Sequence, residues 1–157
     1  MDLQTQIQSL IDNAPQDGIT PQLITAIAPE LIKIAQKLRF RQYYIVQNLE
    51  HDWVLTTLSN RTNPQLQKQI IYAYPTLQDV STTSGVGLDP QMIAAPMAVM
   101  EILFQIIALE PVDSIIFFNT PGTTNNAVEI KRSQVQSIIQ RSLQQNRRRS
   151  DIPPDIA

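Results

Sequence analysis

Leu3, Ile7, Leu10 and Ile11 fall on one helical face, so Asp2 to Asp12 reads as a short amphipathic helix that Asn13 to Gly18 breaks. Thr20-Pro21 then supplies a cap and a proline at the first helical position. Ile24, Ile27, Ala28, Leu31, Ile32, Ala35 and Leu38 carry the helical period on to about Arg39. Pro29 lies inside that pattern and predicts a kink or a split. Strand chemistry follows. Gln42 to Leu49 and Trp53 to Leu58 are rich in aromatic and β-branched residues, and the polar Glu50-His51-Asp52 between them predicts an antiparallel hairpin. Lys68 to Tyr74 reads as a third strand, and Gln78 to Thr82 as a weaker extended piece.

The second half opens with a polar, glycine-bearing loop, Ser81 to Gly87, and a cap-plus-proline signal at Asp89-Pro90. Apolar residues then fill Met92 to Leu109, which predicts a buried helix ended by Glu110-Pro111, with Pro96 kinking it or marking its start. Ser114 to Phe118 and Ala127 to Lys131 read as a hairpin around Asn119 to Asn126, where Pro121-Gly122 suits a type II turn. Ser133 and Gln136 form a capping box before a final helix with the stripe Val135, Ile138, Ile139 and Leu143. The expected order is α-α-β-β-β-α-β-β-α. That is an α+β fold with a mostly antiparallel five-stranded sheet packed with helices. Residues 1–150 are expected to form one domain, and 151–157, with Pro153-Pro154, a loose tail.

From about Thr20 to Gln145, the order α-β-β-β-α-β-β-α resembles that of the type III secretion chaperones and their bacterial relatives. The resemblance is one of element order, and the helix at Asp2 to Asp12 is additional to it. It implies dimerisation and the capture of a partner segment.

Composition narrows the chemistry. At 157 residues with 43% hydrophobic content, the chain is long enough to bury a core. A net charge of −2 gives no global field for nucleic acid or anionic lipid. The absence of cysteine removes disulfides, thiolate metal sites and thiol nucleophiles. The first residues show no basic and apolar leader, so a cytoplasmic location is expected. The Met92 to Leu109 run holds Pro96, Glu101 and Gln105, and a carboxylate near the middle of a span costs about 2–3 kcal/mol, so a membrane span is not expected.

No catalytic, metal or cofactor set converges. His51, the single histidine, stands beside Glu50 and Asp52, but neighbours on an extended chain point apart. Thr82 to Gly87 lacks the lysine of a phosphate loop. Glu101 and Gln105 share a helix face without a second titratable partner. Arg147-Arg148-Arg149 suits a helix C-terminus, with no stacking aromatics for nucleic acid.

Two candidate sites remain. Tyr43, Tyr44, Trp53, Tyr72 and Tyr74 lie on the first three strands, where those facing outward would form a partner-binding surface. Ser84, Gly85, Gly87, Asn119, Thr120 and Asn125 belong to two loops that could meet as a ligand site. The first expectation is a non-catalytic protein-binding, chaperone-like or adaptor protein, a homodimer, acting through a sheet face or helix groove. The alternative is a small-molecule-binding regulator or enzyme with its site between loops 81–89 and 119–126.

Overall fold

The computed structural model describes residues 2–15, 17, 20–59, 62–63, 65–84 and 90–150. Helix α1 (Leu3–Asn13) starts where the Asp2 carboxylate accepts the Thr5 N–H at 2.7 Å, a bond that holds the Asp2 pKa below its ordinary value. Helix α2 (Thr20–Ala35) is entered through Asp17, whose carboxylate accepts both the N–H and the hydroxyl of Thr20 at 2.8 Å. The capping carboxylate is therefore Asp17, where the sequence suggested Thr20. Pro29 does not split α2. A mid-helix proline costs about 3 kcal/mol. Four buried aliphatic side chains on the same helix, Ile24, Ile27, Leu31 and Ile34, each return about 1.5–3 kcal/mol.

Strands β1 (Gln42–Asn48), β2 (Thr56–Ser59) and β3 (Gln67–Tyr74) follow. The expected β1–β2 hairpin is only its turn. Asn48 N–H bonds Asp52 C=O, exposed His51 takes a φ of 69°, Trp53 bridges Gln47, and Val54 N–H bonds Val46 C=O. Beyond Val54 the chain leaves β1, and β2 pairs with the first half of β3.

Two segments differ from their expected structure. Gln78 to Thr82 is helical, part of α3 (Leu77–Ser84). Its start is a reciprocal cap in which Asp79 N–H bonds the Thr76 hydroxyl at 3.1 Å and that hydroxyl donates to the Asp79 carboxylate. Ser81 to Ser84 thus belong to a helix; residues 85–89, including Asp89 of the expected cap, lie outside the described residues. The apolar run is not one helix either. Its first seven residues form strand β4 (Met92–Ala98), then come α4 (Val99–Gln105) and a single 3-10 turn, Ile106–Ala108. An apolar run without charges fits a buried strand as well as a helix. Pro96 decides against the helix, because an edge strand tolerates a residue without an N–H.

Strands β5 (Ser114–Phe118) and β6 (Ala127–Lys131) form the expected hairpin, and α5 (Arg132–Ser150) closes the described chain. Gly122, at φ +85°, and the 3.4 Å bond from Thr123 N–H to Thr120 C=O make the type II turn. Helix α5 begins at Arg132, one residue before the expected cap, and Arg132 N–H bonds Asp113 C=O.

The fold is α+β, with a mostly antiparallel mixed sheet of six strands instead of five, β4 being the addition. The order is β4-β1-β3-β5-β6, with β2 beside β3; only the β3–β5 pair is parallel. No described helix is long and apolar enough to cross a membrane. Helices α1, α2, α4 and α5 cover one face, sealing Tyr43, Ile45, Ile71, Met97, Ile115 and Phe117 into the main core.

Gln6 ties two helices to this sheet. Helix α4 has no side-chain cap of its own. The Gln6 carbonyl accepts the Met100 N–H at 3.0 Å, while its amide donates to Arg41 C=O at 2.8 Å. Removing such a partner costs about 1–3 kcal/mol per buried group left unpaired. We expect Gln6→Leu to lose roughly 2–4 kcal/mol in urea unfolding, far more than Gln8→Leu on the exposed side of the same helix.

Candidate functional site

The second face of the sheet is only partly covered. Alternation along β3 sends Ile71 and Ala73 into the main core and Tyr72 and Tyr74 to the other side. On β5, Ile115 and Phe117 point inward, leaving Ile116 and Phe118 beside those tyrosines. β1 adds Tyr44 and Val46, and β4 adds Met92 and Ala94. Helix α3 covers one end of this face by packing Val80 against Val46, Tyr74 and Phe118.

An open cavity of about 740 Å³ remains, lined by Val46, Val54, Tyr72, Tyr74, Met92, Ile116 and Phe118, with Thr56, Thr124 and Ala127 at its margin. No charged side chain lines it. The Tyr72 and Phe118 rings stack at 5.4 Å and 15°, and Tyr74 lies 5.4 Å from Phe118 and 6.3 Å from Tyr72. Offset aromatic contacts of this kind add about 0.5–1.5 kcal/mol each beyond burial, so the wall is rigid before anything binds.

Tyr74 is the most constrained member. It is 3% exposed, yet its hydroxyl bonds no group among the described residues. No described side-chain polar atom sealed from water goes without a partner, so this hydroxyl keeps contact with solvent, on a residue that lines the cavity. Burial, and secondarily the neighbouring Tyr72, push its pKa up to about 12. The neutral phenol is the form the fold favours. Its stabilisation is intact below the ordinary value of 10.0 and is lost as pH rises through about 12. Urea midpoints for the wild type should fall across that window, and those of Tyr74→Phe should fall less. Tyr43, also raised by burial, should add to the slope in the same direction.

The five aromatic residues of the first three strands thus divide between the faces. Tyr44, Tyr72 and Tyr74 lie on the open side. Tyr43 is in the main core, its hydroxyl donating to Asn119 Oδ1 at 2.8 Å and its ring edge-on to Phe117 at 5.0 Å. Trp53 packs against that same core. Phe118, Ile116, Val46, Val54 and Met92 were not among the sequence candidates. The alternation of β5 held a signal for the first two; Met92 was hidden inside an expected helix.

The loop candidates separate as well. The turn between β5 and β6 does meet α3, with Gly122 N–H donating to Asp79 at 2.7 Å. A polar cavity of about 730 Å³ there is lined by Thr76, Asp79, Thr82 and residues 121–125, among them Asn125. Asn119 is not available to it. Its side chain accepts from Tyr43 and from Arg39 N–H, closing the α2–β1 corner. The Thr120 hydroxyl accepts from the Asn126 amide. Ser84 ends α3, and Gly85 and Gly87 lie outside the described residues.

Elsewhere, Lys68 and the Ser114 hydroxyl both bond the Glu129 carboxylate and lower its pKa, the lysine bond contributing most. Half-exposed pairs of this kind contribute about 0–1 kcal/mol. Glu101 is half-buried and accepts from the Gln105 amide at 3.0 Å. Among the described residues no group of three His, Asp or Glu side chains is placed to hold a metal ion. The side chains of Arg147 to Arg149 lie outside the described set. No protein-family model matches the chain, and no curated protein matches it in sequence.

Proposed function

We propose that this chain is a non-catalytic, chaperone-like or adaptor protein that holds an apolar protein segment against the open face of its sheet. The observation that carries the reading is the uncharged aromatic cavity formed by Tyr72, Tyr74, Phe118, Ile116, Val46 and Met92. Trp and Tyr side chains dominate binding hot spots because they offer large area with few rotatable bonds. Charge is absent from the cavity lining, so specificity must come from shape, ring stacking and a few hydroxyl groups. The kinship with type III secretion chaperones, the cytoplasmic location and the homodimeric state belong to the same proposal.

Panning a random dodecapeptide library against the full chain tests it. Enriched peptides should be extended, uncharged and rich in apolar side chains, and they should compete with one another. Recovery of no peptide, or of peptides selected by charge and displaced by salt, would overturn the reading.

A second reading has its own observation. The polar cavity between α3 and residues 121–125 is large enough for a metabolite and would make the chain a small-molecule-binding regulator. A thermal-shift screen against nucleotides, sugars and amino acids should then raise the melting temperature, and the rise should vanish in Thr82→Val.

A further inference from the structure

The two edges of the sheet are treated differently by the sequence. β6, at one end of the strand order, carries Glu129 and Lys131 within five residues and runs directly into α5. Charges on an edge strand discourage pairing with another chain. β4, at the other end, has seven residues, Met92–Ala98, and no charge among them. No strand lies beyond it among the described residues. Ile93, its second residue, is 40% exposed, and Leu49, next to the β4 partner residue Asn48, is 61% exposed.

The pairing between β4 and β1 fixes which backbone groups are free. Tyr44 stands opposite Pro96, which has no N–H to exchange, and Val99 N–H bonds Arg41 C=O at 3.0 Å. Antiparallel pairs alternate between exchanging both bonds and exchanging none. Residues 93, 95, 97 and 99 therefore bond β1, while Met92 and Ala94 direct both N–H and C=O away from the sheet. Pro96 can offer only its carbonyl there.

We propose that β4 pairs antiparallel with β4 of a second copy of this chain, about a two-fold axis through Ile93. In that register Met92 of one copy exchanges both bonds with Ala94 of the other, and the reverse. Ile93 meets its own counterpart at a non-bonded position, where Cα atoms approach to about 4.5 Å and side chains touch. Pro96 falls beyond these pairs. A register about Ala94 would instead oppose Met92 to Pro96 and leave the Met92 carbonyl unpaired inside the interface. The missing proline donor thus selects the register.

A second copy fits this edge because a two-fold interface must be complementary to itself, and an uncharged strand pairs with its own image without repulsion. The axis is perpendicular to the sheet, so the two open faces lie on the same side. Met92 and Ala94 of each copy then join the two aromatic cavities into one apolar surface across the dimer.

This inference rests on the homodimeric part of the proposed function, for which it names the interface, and it stands apart from the peptide binding. A monomer that still selects apolar peptides would defeat only the pairing, and a dimer that selects none would defeat only the binding. Sedimentation velocity of the full chain should show a monomer–dimer equilibrium that rising salt leaves unchanged, since no charge contributes. Ile93→Lys places two ammonium groups at the axis and should weaken the dimer at least about tenfold, with an unchanged circular dichroism spectrum. Because the chain has no cysteine, Ile93→Cys should give a covalent dimer under mild oxidation, whereas exposed Leu66→Cys should not. A monomer at every concentration, or a dimer that Ile93→Lys leaves intact and Ile93→Cys fails to cross-link, would overturn the proposal.

Discussion

Tyr72→Ala should weaken binding of the selected apolar peptides about thirtyfold, which corresponds to about 2 kcal/mol, the scale of a binding hot spot. The ring of Tyr72 is half-buried in the free protein and stacked on Phe118, so it presents a preordered surface to a partner. Its removal takes away contact area at the centre of the cavity and also frees Phe118 to move. The melting temperature should change little by comparison, because Tyr72 lies outside the helix-covered core. Isothermal titration with one enriched peptide measures the first effect and thermal unfolding the second. A Tyr72→Ala protein that binds the peptide as tightly as wild type would place the binding surface elsewhere.

The largest loss of stability should come from a residue only one position from the cavity wall. Phe117→Ala should cost about 3–5 kcal/mol, the usual range for a fully buried aromatic ring. Phe117 is fully buried, and its ring meets Tyr43 edge-on at 5.0 Å. Tyr43 in turn bonds Asn119, which holds the α2–β1 corner. The cavity left by truncation would thus loosen a contact chain that joins β5, β1 and α2. Urea unfolding of Phe117→Ala beside Phe118→Ala compares the two faces. The first should be the less stable protein, and the second the weaker binder relative to its stability.

The architecture was legible in the sequence wherever period and punctuation agreed. Leu3, Ile7 and the Ile24 to Leu31 stripe identified the first helices, and Pro121-Gly122 identified the hairpin turn, because those signals are local. The Met92 to Leu109 run failed for a physical reason. Uniform apolarity erases the difference between a period of 2 and a period of 3.6, and the pairing of β4 with β1 is a long-range event that no local pattern records. The short helix at Leu77–Ser84 differs from the expectation although Thr76 and Asp79 carry its cap, since Val80 to Ser84 are weaker helix formers.

The candidate surface was half legible. Tyr72 and Tyr74 share a parity along β3, and Ile116 and Phe118 share one along β5, but which parity faces the helices depends on how the strands assemble. Tyr43 shows the cost of that ambiguity: it differs from Tyr44 by one position and lies on the opposite, helix-covered face. Asn119 is a similar case. Its place in a polar loop suggested a ligand contact, and only the fold reveals that its side chain is spent on Tyr43 and Arg39.

The most direct measurement is chemical-shift mapping of the isotopically labelled full chain titrated with one enriched peptide. Saturable shifts should concentrate at Val46, Tyr72, Tyr74, Met92, Ile116 and Phe118, with α1, α2 and the turn at residues 121–123 little affected. Shifts centred on the α1–α2 surface or on the polar cavity beside Asp79, with the aromatic face silent, would contradict it.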